Sequence, residues 1–318
     1  MSLSLESTGS NSLEDLGPRD LRRKRSPISV VRDYVELTKP AINRMCLLMT
    51  AGGMFLAPRA ADGAFPLPVG SALLALLGTA LAVASANALN MWLERDTDRL
   101  MRRTKERPLA EGRISASGAF YFGLALGLVS VLVLAISTNL ATTLTGLFAI
   151  VSYVAIYTPL KYVHPLALVV GAIPGAVPPL MGWTAVTGHF DLPGLVLFAV
   201  LFVWQMPHFI AISVVRRRDY DAAGIRTVPG LRGMVVARWQ ALAWALLLTP
   251  TSLALVWTGV SGWLYGTFAL VAGLAFLAMT ASGFKRGIAD NRWGQRLFVA
   301  SIIYLPVLIT GLAIDVLL

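Results

Sequence analysis

Asn90, Glu94 and Asp98 follow one another at i, i+4 and i+8 in the run NMWLERDTDRLMRRTKERPL, residues 90–109. On a helix each step of four turns the side chain by about 40° and climbs about 6 Å, so the three share one stripe. Asp96 falls about 200° from Glu94 and belongs to the other face. Two carboxylates about 6 Å apart, with an amide one turn deeper, suit Mg²⁺, which takes one or two carboxylates and completes its shell with waters and phosphate oxygens. Arg102, Arg103, Lys105 and Arg107 follow at once, and arginine grips phosphate oxygens in pairs. The competing reading is a solvated basic loop whose acids balance its bases. Spacing alone leaves both open.

A stripe of this kind needs a rigid element behind it, and the composition says which. The chain has 318 residues, of which 56% are hydrophobic and only 14% charged, with a mean hydropathy of +0.68. A soluble domain carries roughly a quarter charged residues. Here the charges are clumped, leaving apolar windows long enough to cross a hydrocarbon core of about 30 Å. Nine such windows are visible, near 40–58, 67–93, 116–136, 138–158, 165–187, 192–214, 236–257, 261–282 and 296–318. Alternating ten-residue strands of the barrel type are not visible. The expected fold is therefore all-α, a polytopic membrane protein with nine transmembrane helices forming one domain over 35–318. Residues 1–34 are expected to be a disordered, basic cytoplasmic tail, its Arg22–Arg25 segment held near anionic headgroups.

The 27 Lys and Arg residues set the orientation. Seven lie in 19–39, seven in 95–113, one at Lys161, six in 216–238 and four in 285–296; Arg44 and Arg59 complete the count. With nine spans every basic segment falls on one side, so the N-terminus is expected in the cytoplasm and the C-terminus outside. The net charge of +10 is then a topology signal, and no nucleic-acid partner is needed to explain it. No apolar stretch of signal-peptide type follows the start of the chain, and Glu6, Glu14, Asp15 and Asp20 argue for a bacterial inner membrane over a mitochondrial one. The single cysteine, Cys46, excludes an internal disulfide and reads as a small apolar residue.

A second acidic-basic cluster ends the sixth window, in VVRRRDYDAAGI, 214–225. The second and sixth windows differ by an even number of crossings, so Asp219 and Tyr220 face the same compartment as Glu94 and Asp98. Two such clusters can close over a diphosphate from opposite directions.

With Arg103, Thr104 and Arg107 added, the pattern Asn90, Glu94, Asp98 resembles the signature of the intramembrane (UbiA-type) prenyltransferases. Many members of that family carry Asp where this chain has Glu94. The words WQMPHF (204–209), RRRDYDAAGI (216–225), YTPLKY (157–162) and GAIPGAVPPLMGWTAVTG (171–188) resemble the haem-directed branch of the family. That likeness runs from ELTKP (36–40) to the last span; GIRTVP (224–229) departs from the branch's usual wording. The resemblance implies transfer of a farnesyl group from farnesyl diphosphate to a vinyl group of haem b, giving haem O for haem-copper oxidases. It implies Glu94, Asp98 and Asp219 as Mg²⁺ ligands with Asn90 supporting them, Tyr220 beside them, and Arg103, Arg107 and Lys161 on the phosphates. Haem A synthase and oxidase assembly factors are the implied partners.

Other polar residues have two readings each. His208, inside a span, is either a haem-iron ligand or an interhelical hydrogen-bonding group. Tyr157 and Lys161 meet the diphosphate or anchor the basic end of their span. Arg44 snorkels or contacts a diphosphate or haem propionate. His164 and His189 read as surface residues. Gly171, Pro174, Gly175, Pro178, Pro179 and Gly182 widen the fifth span for a flat macrocycle, or reflect ordinary kinked packing. The rival functions are prenylation of an aromatic quinone precursor, ion-coupled transport, and haem binding without catalysis. Transporters place their charges near the midplane, whereas these acids sit at span ends.

Overall fold

The computed structural model describes residues 26–58 and 67–317, and among them every regular element is a helix. In chain order these are α1 (Pro27–Leu37), α2 (Pro40–Leu56), α3 (Val69–Asp98), α4 (Ala116–Ser137), α5 (Leu140–Val151), the short α6 (Thr158–Leu160), α7 (Ala167–Thr187), α8 (Leu192–Val215), α9 (Arg217–Ala222), α10 (Val228–Leu231), α11 (Gly233–Trp257), α12 (Trp263–Ala281) and α13 (Asp290–Leu317). A π-helical turn, Ser152–Tyr157, joins α5 to α6 without a break.

Among the described residues, eight helices are long and apolar enough to cross a membrane. They fall on eight of the nine expected windows. The remaining window forms α2, whose 17 residues sit at the short end of the spanning range of about 17–25. Exposed leucines, isoleucines and valines line the outside of the bundle, among them Leu128, Leu132, Ile136, Val271 and Ile303. Extended apolar surfaces of this kind mark membrane or protein contacts.

The N-terminal expectation changes in one part. Its residues 1–25 lie outside the described residues, but 27–34 are the body of α1 rather than disordered tail. The physical reason is burial: Leu37 is fully enclosed with Ala88, Met91, Leu109 and Ile114, and Tyr34 packs there too. Asp33, also buried, forms an ion pair with Arg113, 80 residues away in sequence. Arg113 in turn reaches Glu111 (2.7 Å) and the Glu106 carbonyl (2.7 Å). Helix α1 therefore clamps the 99–115 connection, which carries Arg103 and Arg107.

Two features of the bundle position the site. Helix α3 has 30 residues, about 45 Å of axis, so one end must project past a core of about 30 Å. Asn90, Glu94 and Asp98 occupy that end. Helices α2 and α7 meet backbone to backbone. A β-carbon on Gly53 would lie 2.1 Å from the Pro179 carbonyl oxygen, and one on Gly182 would lie 1.9 Å from that of Thr50. Small residues are what permit such an approach between membrane helices. Asn139 then steadies the far end of α7 by donating to the Thr184 carbonyl (2.8 Å).

Candidate active site

The last turns of α3 place all three stripe residues indoors: Asn90 is 2% exposed, Glu94 5% and Asp98 1%. Asp96, on the opposite face, is exposed and only loosely paired with Arg95 and Arg99 (3.7 Å each). Carboxylates buried this deeply must be paired, and each is. Lys161 forms an ion pair with Glu94. Arg107 Nη1 donates to Asp98 Oδ2 (2.7 Å). Asn90 donates to Glu94 and to Thr158 Oγ1 (3.1 Å), and accepts from Lys39 Nζ (2.9 Å). Two carboxylates and three cations thus converge, with one positive charge in excess.

Each partner owes its position to a local device. Lys39 occupies the two-residue joint between α1 and α2 with φ 48°, and it is the only described non-glycine residue in the left-handed region. That conformation costs energy for an ordinary side chain. Pro40 behind it begins α2, so the joint is tight. Burial lowers the Lys39 pKa to about 8, with the Glu94 charge opposing the shift. Thr158 and Lys161 follow the π-helical turn, and the Thr158 hydroxyl donates to the Tyr153 carbonyl (2.8 Å) while receiving Asn90. π-turns widen a helix by one residue per turn and are common at functional sites. Thr104 donates to the Asp98 carbonyl (2.9 Å), turning the chain so that Arg107 comes back over the carboxylate.

The second cluster approaches the first through Lys161. The Arg226 amide, in the connection after α9, donates to the Lys161 carbonyl (2.9 Å). Burial pushes the Tyr220 phenol pKa up, against the pull of Arg103, Lys161 and Arg216 nearby. Tyr220, Arg103 and Lys161 therefore share one neighbourhood. Asp219 is half-buried in the first turn of α9, and Asp221 is exposed beside Arg217 (3.6 Å). Among the described residues no group of three or more His, Cys, Asp or Glu side chains converges closely enough to hold a metal. The conformation thus presents a two-carboxylate site on α3, with Asp219 apart from it.

The Tyr157 ring lies against Gly171, where a β-carbon would come within 2.5 Å of it, and 5.2 Å from the ring of Tyr153. Arg44 is exposed one turn into α2, without an ion pair among the described residues. His208 sits between Trp204 (4.9 Å) and Phe298 (5.2 Å), with Nδ1 2.7 Å from Ser301 Oγ. Because Ser301 gives its own proton to the Phe298 carbonyl (2.6 Å), His208 Nδ1–H is the donor and Nε2 keeps its lone pair. His164 is half-buried and accepts from the Leu166 amide (3.0 Å), and exposed His189 lies 3.6 Å from Asp191.

The fit to a divalent cation rests on one atom. Asp98 Oδ1 is fully enclosed and has no hydrogen-bond partner among the described residues. An orphaned carboxylate oxygen indoors is costly unless something positive is meant to meet it. Lys39 and Thr158 were not singled out from sequence: neither shares a spacing with the stripe, and only the α1–α2 joint and the π-turn bring them in.

A bundle of spanning helices with an enclosed Asn–Glu–Asp stripe under three cations is the arrangement of an intramembrane enzyme acting on diphosphates. The chain belongs to the UbiA prenyltransferase family, whose match covers residues 46–302. Its similar proteins are narrower still. A protoheme IX farnesyltransferase from Myxococcus xanthus is 43% identical over 293 residues, covering 92% of this chain and 97% of that one. One from Anaeromyxobacter dehalogenans is 43% identical (92% and 96% covered), and one from Aquifex aeolicus 36% (90% and 96%). Among solved structures, a digeranylgeranylglyceryl phosphate synthase superposes with a TM-score of 0.76 at 15% identity, covering 90% of this chain and 98% of that one. A UbiA homologue from Archaeoglobus fulgidus bound to GPP and Mg²⁺ does so at 0.64 with 18% identity, covering 88% and 99%. At these identities the two structures establish the fold.

Proposed function

We propose that the enzyme transfers the farnesyl group of farnesyl diphosphate to a vinyl group of haem b, producing haem O. The observation that carries the reading is the convergence of Glu94 and Asp98 with Lys39, Arg107 and Lys161 at the end of an apolar bundle. The names borne by relatives at 36–43% identity choose the acceptor.

Glu94 and Asp98 would hold Mg²⁺, with Asp98 Oδ1 as the ready oxygen and Asn90 fixing the Glu94 carboxylate. Asp219 would complete the site from α9. Bound there, the ion supplies positive charge to the diphosphate oxygens. The chain's own residues do the rest. Lys39, Lys161, Arg103 and Arg107 bind the phosphates and stabilise the negative charge that grows on the leaving group. Tyr157 and Tyr220 would line the same mouth. Breaking the C1–O bond leaves an allylic cation, and the apolar helices keep water from it until the acceptor is in place. The haem vinyl carbon attacks C1. Water then adds to the other vinyl carbon and loses a proton, giving the hydroxyethylfarnesyl group. His208, with Nε2 available, is the residue best suited to hold the haem iron. The basic ends of the spans, and with them the site, face the cytoplasm of a bacterial inner membrane, with α2 as the ninth span. From there the product passes to haem A synthase or an oxidase assembly factor.

The test is turnover of the purified protein in detergent with haem b, farnesyl diphosphate and Mg²⁺, read by mass spectrometry. A product at the mass of haem O that vanishes on chelation is expected. Prenylation of a hydroxybenzoate instead would keep the diphosphate site and overturn the acceptor. Thr158→Val probes the support of the stripe, because it keeps the shape but removes the bond to Asn90. Partners that orient metal ligands are worth 10–100-fold, so the Mg²⁺ needed for half-maximal turnover should rise about tenfold. An unchanged Mg²⁺ requirement would show that Asn90 needs no such anchor.

A further inference from the structure

One cavity lies away from the carboxylates. It is an open groove of about 580 Å³ between α12 and α13, walled by hydrocarbon. Its cause is a run of small residues: Ala272 and Ala275 on α12 face Ala300 on α13, where larger side chains would close the seam. Thr267 and Val307 mark one end and Met279 and Ala300 the other, so the lining runs about 18 Å along α12 and about 10 Å along α13. One leaflet of hydrocarbon is about 15 Å deep. The only aromatic hydroxyl on the wall, that of Tyr304, is already engaged with Ser252 (2.9 Å).

Past the Met279 end the chain turns basic. Lys285 and Arg286 lie in the connection just past α12, and all four basic residues of 285–296 are exposed. On α13, Arg292, Arg296, Ala300, Ile303 and Val307 recur at steps of three and four and so share one stripe. Arg296 therefore stands one turn below the groove, on the groove's own face. None of Lys285, Arg286, Arg292 and Arg296 has an ion pair among the described residues, and the one acid there, Asp290, is taken by Arg238. An apolar slot of leaflet depth ending in unpaired cations is the shape and charge of one molecule class.

We propose that the α12–α13 groove holds an acyl chain of an anionic phospholipid whose phosphate is bound by Lys285, Arg286 and Arg296. The site is separate from the diphosphate cluster, which stands on α3 and the α6–α7 connection. A zwitterionic lipid would place a like charge beside the four cations, and a second protein would have to bring its own anions there.

The test uses full-length protein in mild detergent, titrated with phosphatidylglycerol or phosphatidylcholine of matched chain length and read by native mass spectrometry. One phosphatidylglycerol per chain is expected to be retained. A basic side chain near an anionic headgroup is worth about fivefold, so its preference over phosphatidylcholine should fall roughly a hundredfold in K285Q/R286Q/R296Q. Ala275→Phe fills the slot and should release both lipids while the elution profile of the protein stays unchanged. Equal retention of the two lipids by the unaltered protein, or a preference surviving charge removal, would overturn the proposal. So would lipid retention unaffected by Ala275→Phe, or displacement of the lipid by farnesyl diphosphate, which would make the groove a substrate path.

Discussion

Asp98→Asn is expected to lower haem O formation by on the order of a thousandfold at saturating farnesyl diphosphate and Mg²⁺, because loss of several kcal/mol of charge stabilisation corresponds to that factor. Asparagine keeps the size and the hydrogen-bonding reach of the side chain but removes its charge. The enclosed Oδ1, the atom left without a partner, then no longer attracts a cation. Arg107 loses its anion as well, and its guanidinium is freed from a 2.7 Å pairing. Since Arg107 keeps some exposure, water can take over part of the lost interaction and the protein should still elute as one species. Mass spectrometry of the product and a thermal melt of the same preparation separate the two effects. Turnover within tenfold of the unaltered protein would remove Asp98 from the chemistry altogether. Chelation of the unaltered protein should reproduce the same loss.

The second large effect is structural and local to one helix seam. Gly53→Ala and Gly182→Leu should each abolish recovery of a monodisperse protein, or lower its melting temperature sharply, whereas Gly52→Ala should be silent. The three positions share a residue type and a helix environment but differ in what a β-carbon meets. At Gly53 and Gly182 it would lie 2.1 Å and 1.9 Å from backbone carbonyl oxygens of the facing helix, while at Gly52 nothing stands within 4 Å. Backbone cannot rotate away as a side chain does, so α2 must separate from α7. Overpacking in a tight seam commonly costs about 1–3 kcal/mol, and more where backbone must move. Size-exclusion profiles with a heat ramp report the outcome directly. A Gly53→Ala protein as stable as Gly52→Ala would mean that the seam is looser than its geometry.

What could be read in the letters follows from how far each signal reaches along the chain. The stripe was legible because Asn90, Glu94 and Asp98 belong to one helix, and four-residue spacing becomes a common face by geometry alone. Eight spans were legible because hydropathy is local. The short α2 sits at the edge of that rule. Lys39 was not legible: it lies 51 residues from Asn90, and its role depends on a left-handed joint that no periodicity announces. The clamp of Asp33 on Arg113 spans still more chain, 80 residues, which is why 27–34 reads as tail although it is helix. His208 was legible as an oddity, a titratable ring in a span, but the Phe298 and Ser301 side of its seat comes from α13, nearly a hundred residues on. Parity of crossings predicts that Asp219 and Glu94 share a side of the membrane. Parity places residues in a compartment; it does not bring them within bonding distance.

The widened turn at Ser152–Tyr157 works as a phase adjuster. Removing one residue from a helix rotates everything beyond it by about 100° relative to everything before it. The extra residue that this turn absorbs therefore decides which way Thr158 and Lys161 point, independently of how α5 packs on α7. Insertions and deletions elsewhere in the loops can be tolerated as changes of length. Here the same event is a change of angle, and it would turn the site's lysine away from Glu94.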